Sequence, residues 1–230
     1  MGTDTEKEGV AMTGERRERY RRVVEKLRQF MRDSVADVQG EVGDELRAVI
    51  EFRIALSDET DRGAALMAAA FIDDRLKILL ERKLVAAPKI VSPIFEFNGA
   101  LGTFSSRIDM AYLLGLLPKN ARQDLHAIRK IRNEFAHTAS PISFDDERVA
   151  GKCNALKFHG VREAAEPGSK FRRSAMGLMV VITEATIKAE RIEARPDCAI
   201  QDRTEAYEMV SKIVTDITGE EYLLKHEHEE

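Results

Sequence analysis

Apolar residues recur at three- and four-residue spacing along most of the chain, which is the period of an amphipathic helix. Tyr20, Val23, Val24, Leu27, Phe30 and Met31 form one such stripe and predict a helix over residues 14–35. Gly40 and Gly43 read as punctuation, and a second helix is predicted at about 44–56 through Leu46, Val49, Ile50 and Ile54. The stretch "SDETD" (57–61) then offers several N-cap side chains. A long helix follows at 61–84. Stepping about 100° per residue, Ala65, Leu66, Ala69, Ala70, Ile72, Leu76, Leu79, Leu80 and Leu84 fill one broad arc, and Met67, Phe71 and Ile78 fill another side. A helix apolar on most sides belongs at the centre of a domain. Asp73 falls inside the main arc, where a carboxylate needs a partner.

Residues 86–103 break the pattern. Two prolines, Asn98, Gly99 and Gly102 predict a long ordered loop or short strand-like pieces, with glycine supplying positive φ in a tight connection. Thr103, with Ser106 three residues later, predicts a capped helix lined by Phe104, Ile108, Ala111 and Tyr112. "LPKN" reads as a turn, and Asn120 with Gln123 resembles a capping box for a helix over 120–138. Ser143 with Asp146 starts a short helix through Val149, Cys153 and Leu156. A polar linker at 157–170, a long helix at 170–194 ended by "RPD", and an amphipathic helix at 203–217 complete the pattern. No strand-period segment of any length competes. The prediction is all-α, a single helical bundle with a C-terminal helical extension. Its parts are a disordered leader (1–13), the bundle (14–156), and a linker with C-terminal helices (157–230) that pack on the bundle or extend it.

Composition narrows the function classes. Apolar residues make up 43% and charged residues 33%, which suits a soluble helical protein. Cys153 and Cys198 are the only cysteines, far apart and without metal-ligand spacing, so a reducing cytoplasm is expected and neither a metal nor a cofactor is implied. The start of the chain shows no apolar signal region, and the longest uncharged apolar run, near 175–182, is far short of a membrane span. A net charge of −4 argues against broad DNA binding. The cluster Lys170, Arg172 and Arg173 reads first as a solvated face, and His226 and His228 as part of a charged tail.

One segment carries candidate chemistry, "IRKIRNEFAH" at 128–137. On the wheel Leu125, Ile128, Ile131 and Phe135 form the core face. Arg129, Asn133 and His137, at i, i+4 and i+8, are read as the opposite face, with Arg132 and Ala136 beside them. A wet helix face is the plainer account, with the arginines favouring the helix dipole and His137 capping the last turn. A structural account pairs Arg132 or Arg129 with Asp73. A catalytic account has an arginine binding phosphate and a histidine exchanging a proton. It needs a second copy across a homodimer to supply an acid–base couple.

Three motifs in order carry a resemblance. "ETDRGAALMAAAFIDDRLKILL" (59–80), "FNGALGTFSSRIDMAYLLGLLPKNARQDLHAIRKIRNEFAH" (97–137) and "SFDDERV" (143–149) together resemble the mannitol operon repressor family over about residues 45–156. The resemblance implies a helical bundle and a regulator, a repressor of sugar-alcohol metabolism. No helix-turn-helix, zinc-finger spacing or basic recognition helix stands out, so contact with a protein partner is expected rather than direct reading of DNA. The R-N-x-x-x-H segment also resembles that of HEPN-type domains. This second resemblance implies an alternative, a metal-independent endoribonuclease using Arg132 and His137, with RNA as substrate. The residues expected to matter as an interaction or structural motif are Asp73, Arg129, Arg132, Asn133 and His137.

Overall fold

A computed structural model describes residues 14–161 and 165–220 of the chain; the leader at 1–13 and the tail histidines fall outside the described residues. Among the described residues the elements are α1 (Gly14–Asp33), α2 (Gly40–Asp58), α3 (Asp61–Lys83), α4 (Pro88–Phe95), α5 (Phe104–Leu113), α6 (Lys119–His137), α7 (Glu147–Asn154), α8 (Pro167–Lys188) and α9 (Thr204–Thr218). None of these helices is long and apolar enough to cross a membrane. The chain divides into two units, residues 1–193 and 194–230. The second contains α9, which buries no residue although Tyr207, Val210, Ile213 and Ile217 repeat at helical spacing.

α3 is the axis of the first unit, and α2, α5, α6 and α8 all pack on it. Its sequence explains why. Ala64, Ala65, Ala68 and Ala69 are small enough to admit neighbouring helices, while Ile72, Leu76, Leu79 and Leu80 fill the space further along, all buried. Leu66 and Ala70, assigned to the apolar arc from the wheel, are exposed; the covered arc includes Ala64 and Ala68 instead. Thr60 caps the helix, its hydroxyl accepting from the Gly63 amide. α6 contributes Leu125, Ile128, Ile131 and Phe135, all fully buried. Phe135 meets Phe144 edge-on at 5.0 Å between centroids, and Phe144 stacks on Phe171 of α8 at 4.7 Å. These rings tie α6, α8 and the segment before α7 into one core. Truncating one would cost about 3–5 kcal/mol.

Two local expectations change. Residues 88–95 form a helix rather than a loop, because Pro88 occupies its first turn, where the missing N–H would have had no partner. The helix is one turn past that start when Pro93 arrives, and it ends at Phe95. Gly99 and Gly102 are required, but not for positive φ. A Cβ at Gly99 would collide with the Pro93 and Ile94 carbonyls, and one at Gly102 with those of Glu96 and Phe97. The turn is folded back on α4, as shown by the Leu101 amide donating to the Ile94 carbonyl at 2.7 Å. The Thr103–Ser106 capping box forms as its sequence indicates. The Asn120–Gln123 box does not; α6 starts one residue earlier, behind Pro118, and Asn120 Oδ1 accepts from the adjacent Ala121 amide.

Candidate interaction site on helix α6

α6 is covered over a wider arc than its apolar residues span. At its N-terminal half, Asp124 is buried and its Oδ2 accepts from the backbone amides of Lys157 at 2.7 Å and Phe158 at 3.0 Å. That carboxylate pins the segment after α7 to α6. On another side of the same half, Arg122 Nε and His126 Nε2 donate to Asp109 Oδ1 of α5 at 2.7 and 3.0 Å. The His126 bond, and then the Arg122 bond, hold the Asp109 carboxyl below its ordinary range. α5 therefore covers a face that the wheel left open.

The C-terminal half holds the residues singled out from the sequence. Arg132 is half-buried rather than presented. A step of about 100° per residue places it between the directions of Ile128 and Leu125, at the core boundary. Its charge reaches Asp73 of α3, but no hydrogen bond or ion pair joins the two among the described residues. The partner of Asp73 is Arg107 of α5, with Nη1 2.8 Å from Oδ1, close but not aligned as a hydrogen bond. Arg107 is in turn fixed by donating to the Leu101 carbonyl at 2.8 Å and the Phe95 carbonyl at 3.2 Å. Burial nevertheless pushes the Asp73 carboxyl above its ordinary range, against the opposing pull of Arg107 and, more weakly, Arg132. So the expected register pair exists, but its cation comes from α5 and not from α6.

Arg129 is also half-buried, and its Nε is shielded from solvent without a hydrogen-bond partner among the described residues. Asn133 is half-buried and His137 exposed. Arg132 and His137, five residues apart, leave the helix about 140° from each other. The end of α6 needs neither of them as a cap, since Arg62 of α3 donates to the Thr138 carbonyl at 2.8 Å and the Ser140 carbonyl at 3.0 Å. Glu134 pairs with Lys152 of α7 at 3.1 Å. What this half offers is a seam of two guanidinium groups, an amide and an imidazole, next to a carboxylate already engaged by Arg107.

Sequence reasoning missed the residues that hold this arrangement: Arg62, Arg107, Asp109 and Asp124. Arg107 and Asp109 sit on the capped helix 104–113 and carry no spacing signal. Asp124 lies on the core face of α6, which is the one legible clue.

A family model described as mannitol repressor matches residues 55–175, from the end of α2 into α8. The chain belongs to the mannitol repressor family. The matched span contains the whole α6 seam and its supports, Arg62, Arg107, Asp109 and Asp124. Among curated relatives, the mannitol operon repressors of Escherichia coli strains K12 and O6:H1 are each 27% identical over 66 residues, which is 29% of this chain. The match spans about a third of the length of these relatives, 34%. A solved structure, the MtlR-HPr complex from Escherichia coli, aligns with a TM-score of 0.43 and 17% identity, over 60% of this chain and 98% of that one.

Proposed function

We propose that this mannitol repressor family member is a repressor-type regulator of sugar-alcohol or related carbohydrate metabolism that acts through contact with a protein partner. The observation that carries the reading is the family match over residues 55–175. The contact surface assigned here is the C-terminal half of α6, where Arg129, Arg132, Asn133 and His137 have no hydrogen bond or ion pair of their own among the described residues. An acidic protein surface suits it, because Arg129 and Arg132 bring two fixed positive charges, and guanidinium groups form bidentate contacts with carboxylates.

The test is a transcript measurement on a sugar-alcohol operon in cells carrying Arg132→Ala/Asn133→Ala/His137→Ala. The expected result is loss of repression with the melting temperature of the purified variant nearly unchanged. Two assays oppose the reading directly. A sequence-selective shift of promoter DNA by the chain alone would overturn partner-mediated action. Cleavage of RNA in EDTA, lost in both Arg132→Ala and His137→Ala, would replace regulation by contact with the nuclease alternative.

A further inference from the structure

A second basic site lies away from α6, where the C-terminal end of α2 meets the start of α8. Arg53, Leu56 and Ser57 of α2, His159 of the turn after α7, and Arg172, Arg173 and Met176 of α8 line a cavity of about 330 Å³. No carboxylate is in that lining. Of the nearby acids, Asp58 pairs with Arg28, and Asp61 is held by Arg172 of the cavity wall and by the Phe144 amide.

The cations differ in how far they are committed. Arg172 is a fixed wall: its Nη2 donates to the Glu59 carbonyl at 2.9 Å and Asp61 Oδ1 at 3.2 Å, and its guanidinium lies 5.3 Å from the Phe144 ring centre. Arg173 has only a 3.4 Å contact with the neutral Ser169 hydroxyl. Arg53 has no side-chain hydrogen bond or ion pair among the described residues. The ring of His159 is oriented, because its Nδ1 accepts from the Val161 amide at 3.2 Å. In the neutral ring that leaves Nε2–H as a donor. The Ser57 hydroxyl gives its proton to the Arg53 carbonyl, so it offers no donor. Two uncommitted guanidinium groups and one imidazole N–H in the lining suit a dianion with several oxygens. Leu56 and Met176 add an apolar wall for a small organic body, and the volume is at the lower end of small-molecule sites.

We propose that this cavity binds a small phosphomonoester, with Arg53 and Arg173 on the phosphate oxygens and His159 donating from Nε2. The site stands independently of the α6 contact and gives the regulator a place to sense a phosphorylated metabolite. The test is isothermal titration of the full chain at constant ionic strength with glucose 6-phosphate as probe, and with glucose and inorganic phosphate for comparison. The sugar phosphate is expected to bind, the free sugar not, and inorganic phosphate at least tenfold more weakly. Arg53→Ala and Arg173→Ala should each weaken binding tenfold or more, His159→Ala several-fold, and Arg22→Ala on α1 not at all. Binding unchanged in Arg53→Ala and Arg173→Ala, heat matched by added sodium chloride, or inorganic phosphate as tight as the ester would each overturn the proposal. A triple alanine change in the α6 seam should leave this binding intact, so failure here and failure there are separable.

Discussion

The two halves of α6 carry similar residue types and use them differently. In the N-terminal half, Asp124, Arg122 and His126 all have partners on other segments. In the C-terminal half, Glu134 pairs with Lys152, whereas Arg129, Arg132, Asn133 and His137 make no hydrogen bond or ion pair among the described residues. The difference teaches that polar residues on one continuous helix divide by what stands opposite. Asp109 and the amides of Lys157 and Phe158 face the first half. Near the second half, Asp73 is already held by Arg107 and Glu134 by Lys152. The first half is fastened at Arg122, Asp124 and His126; in the second the fastening is at Glu134.

The comparison is open to four breaks. The largest effect is expected at Asp124. Asp124→Ala leaves the backbone N–H groups of Lys157 and Phe158 without this acceptor and should cost about 2–3 kcal/mol in urea unfolding. A loss below about 0.5 kcal/mol, the usual size for a surface change, would mean the N-terminal half is not a fastening after all. The next is a double-mutant cycle. Asp73→Ala with Arg107→Ala should show a coupling of about 1 kcal/mol, and Asp73→Ala with Arg132→Ala a smaller one. A larger coupling to Arg132 would move that residue into the structural class.

A third effect is smaller and depends on pH. Asp109 has a carboxyl held below its ordinary value of 3.8 in the folded chain, so its stabilisation is present above that value and fades as pH falls through the lowered one. Asp73 has the opposite sign. Its carboxyl is raised above 3.8, so the folded chain keeps that proton longer, and the advantage is lost as pH rises through the raised value. Melting curves from pH 2 to 6 should therefore show a shallower acid loss in Asp109→Asn than in the parent chain. In Asp73→Asn the decline with rising pH should disappear. The smallest stability effect is expected for the triple Arg132→Ala/Asn133→Ala/His137→Ala, about 1 kcal/mol or less. A larger loss would show that these three residues are fastened as well.

Much of the frame was legible before any coordinates. The core positions Leu125, Ile128, Ile131 and Phe135 are all buried, and Thr103 with Ser106 closes its cap. Other features were not. The prolines at 88 and 93 signalled a break, but Pro88 instead starts α4, since a proline in a first turn sacrifices no helical bond. Arg132 is a different case: it was placed on the presented face, although a step of about 100° per residue puts it between Ile128 and Leu125, at the core boundary. The cavity at Arg53, His159 and Arg173 was invisible as a unit. Of its lining, Arg172 and Arg173 stood out, in a basic cluster with Lys170 that read as a solvated face.

By itself the sequence determined all but one of the helices among the described residues, the caps at Thr60 and Thr103, and most residues of the core, because helical period and capping are properties of neighbours within a few positions. It also carried the family, through motifs in a fixed order. The tertiary structure alone decided which charges are engaged. Asp124 with Lys157, Asp61 with Arg172, and Asp73 with Arg107 join residues more than thirty positions apart. Whether an arginine is fastened or free depends on the carboxylates and carbonyls that folding brings opposite it, and no local pattern encodes that.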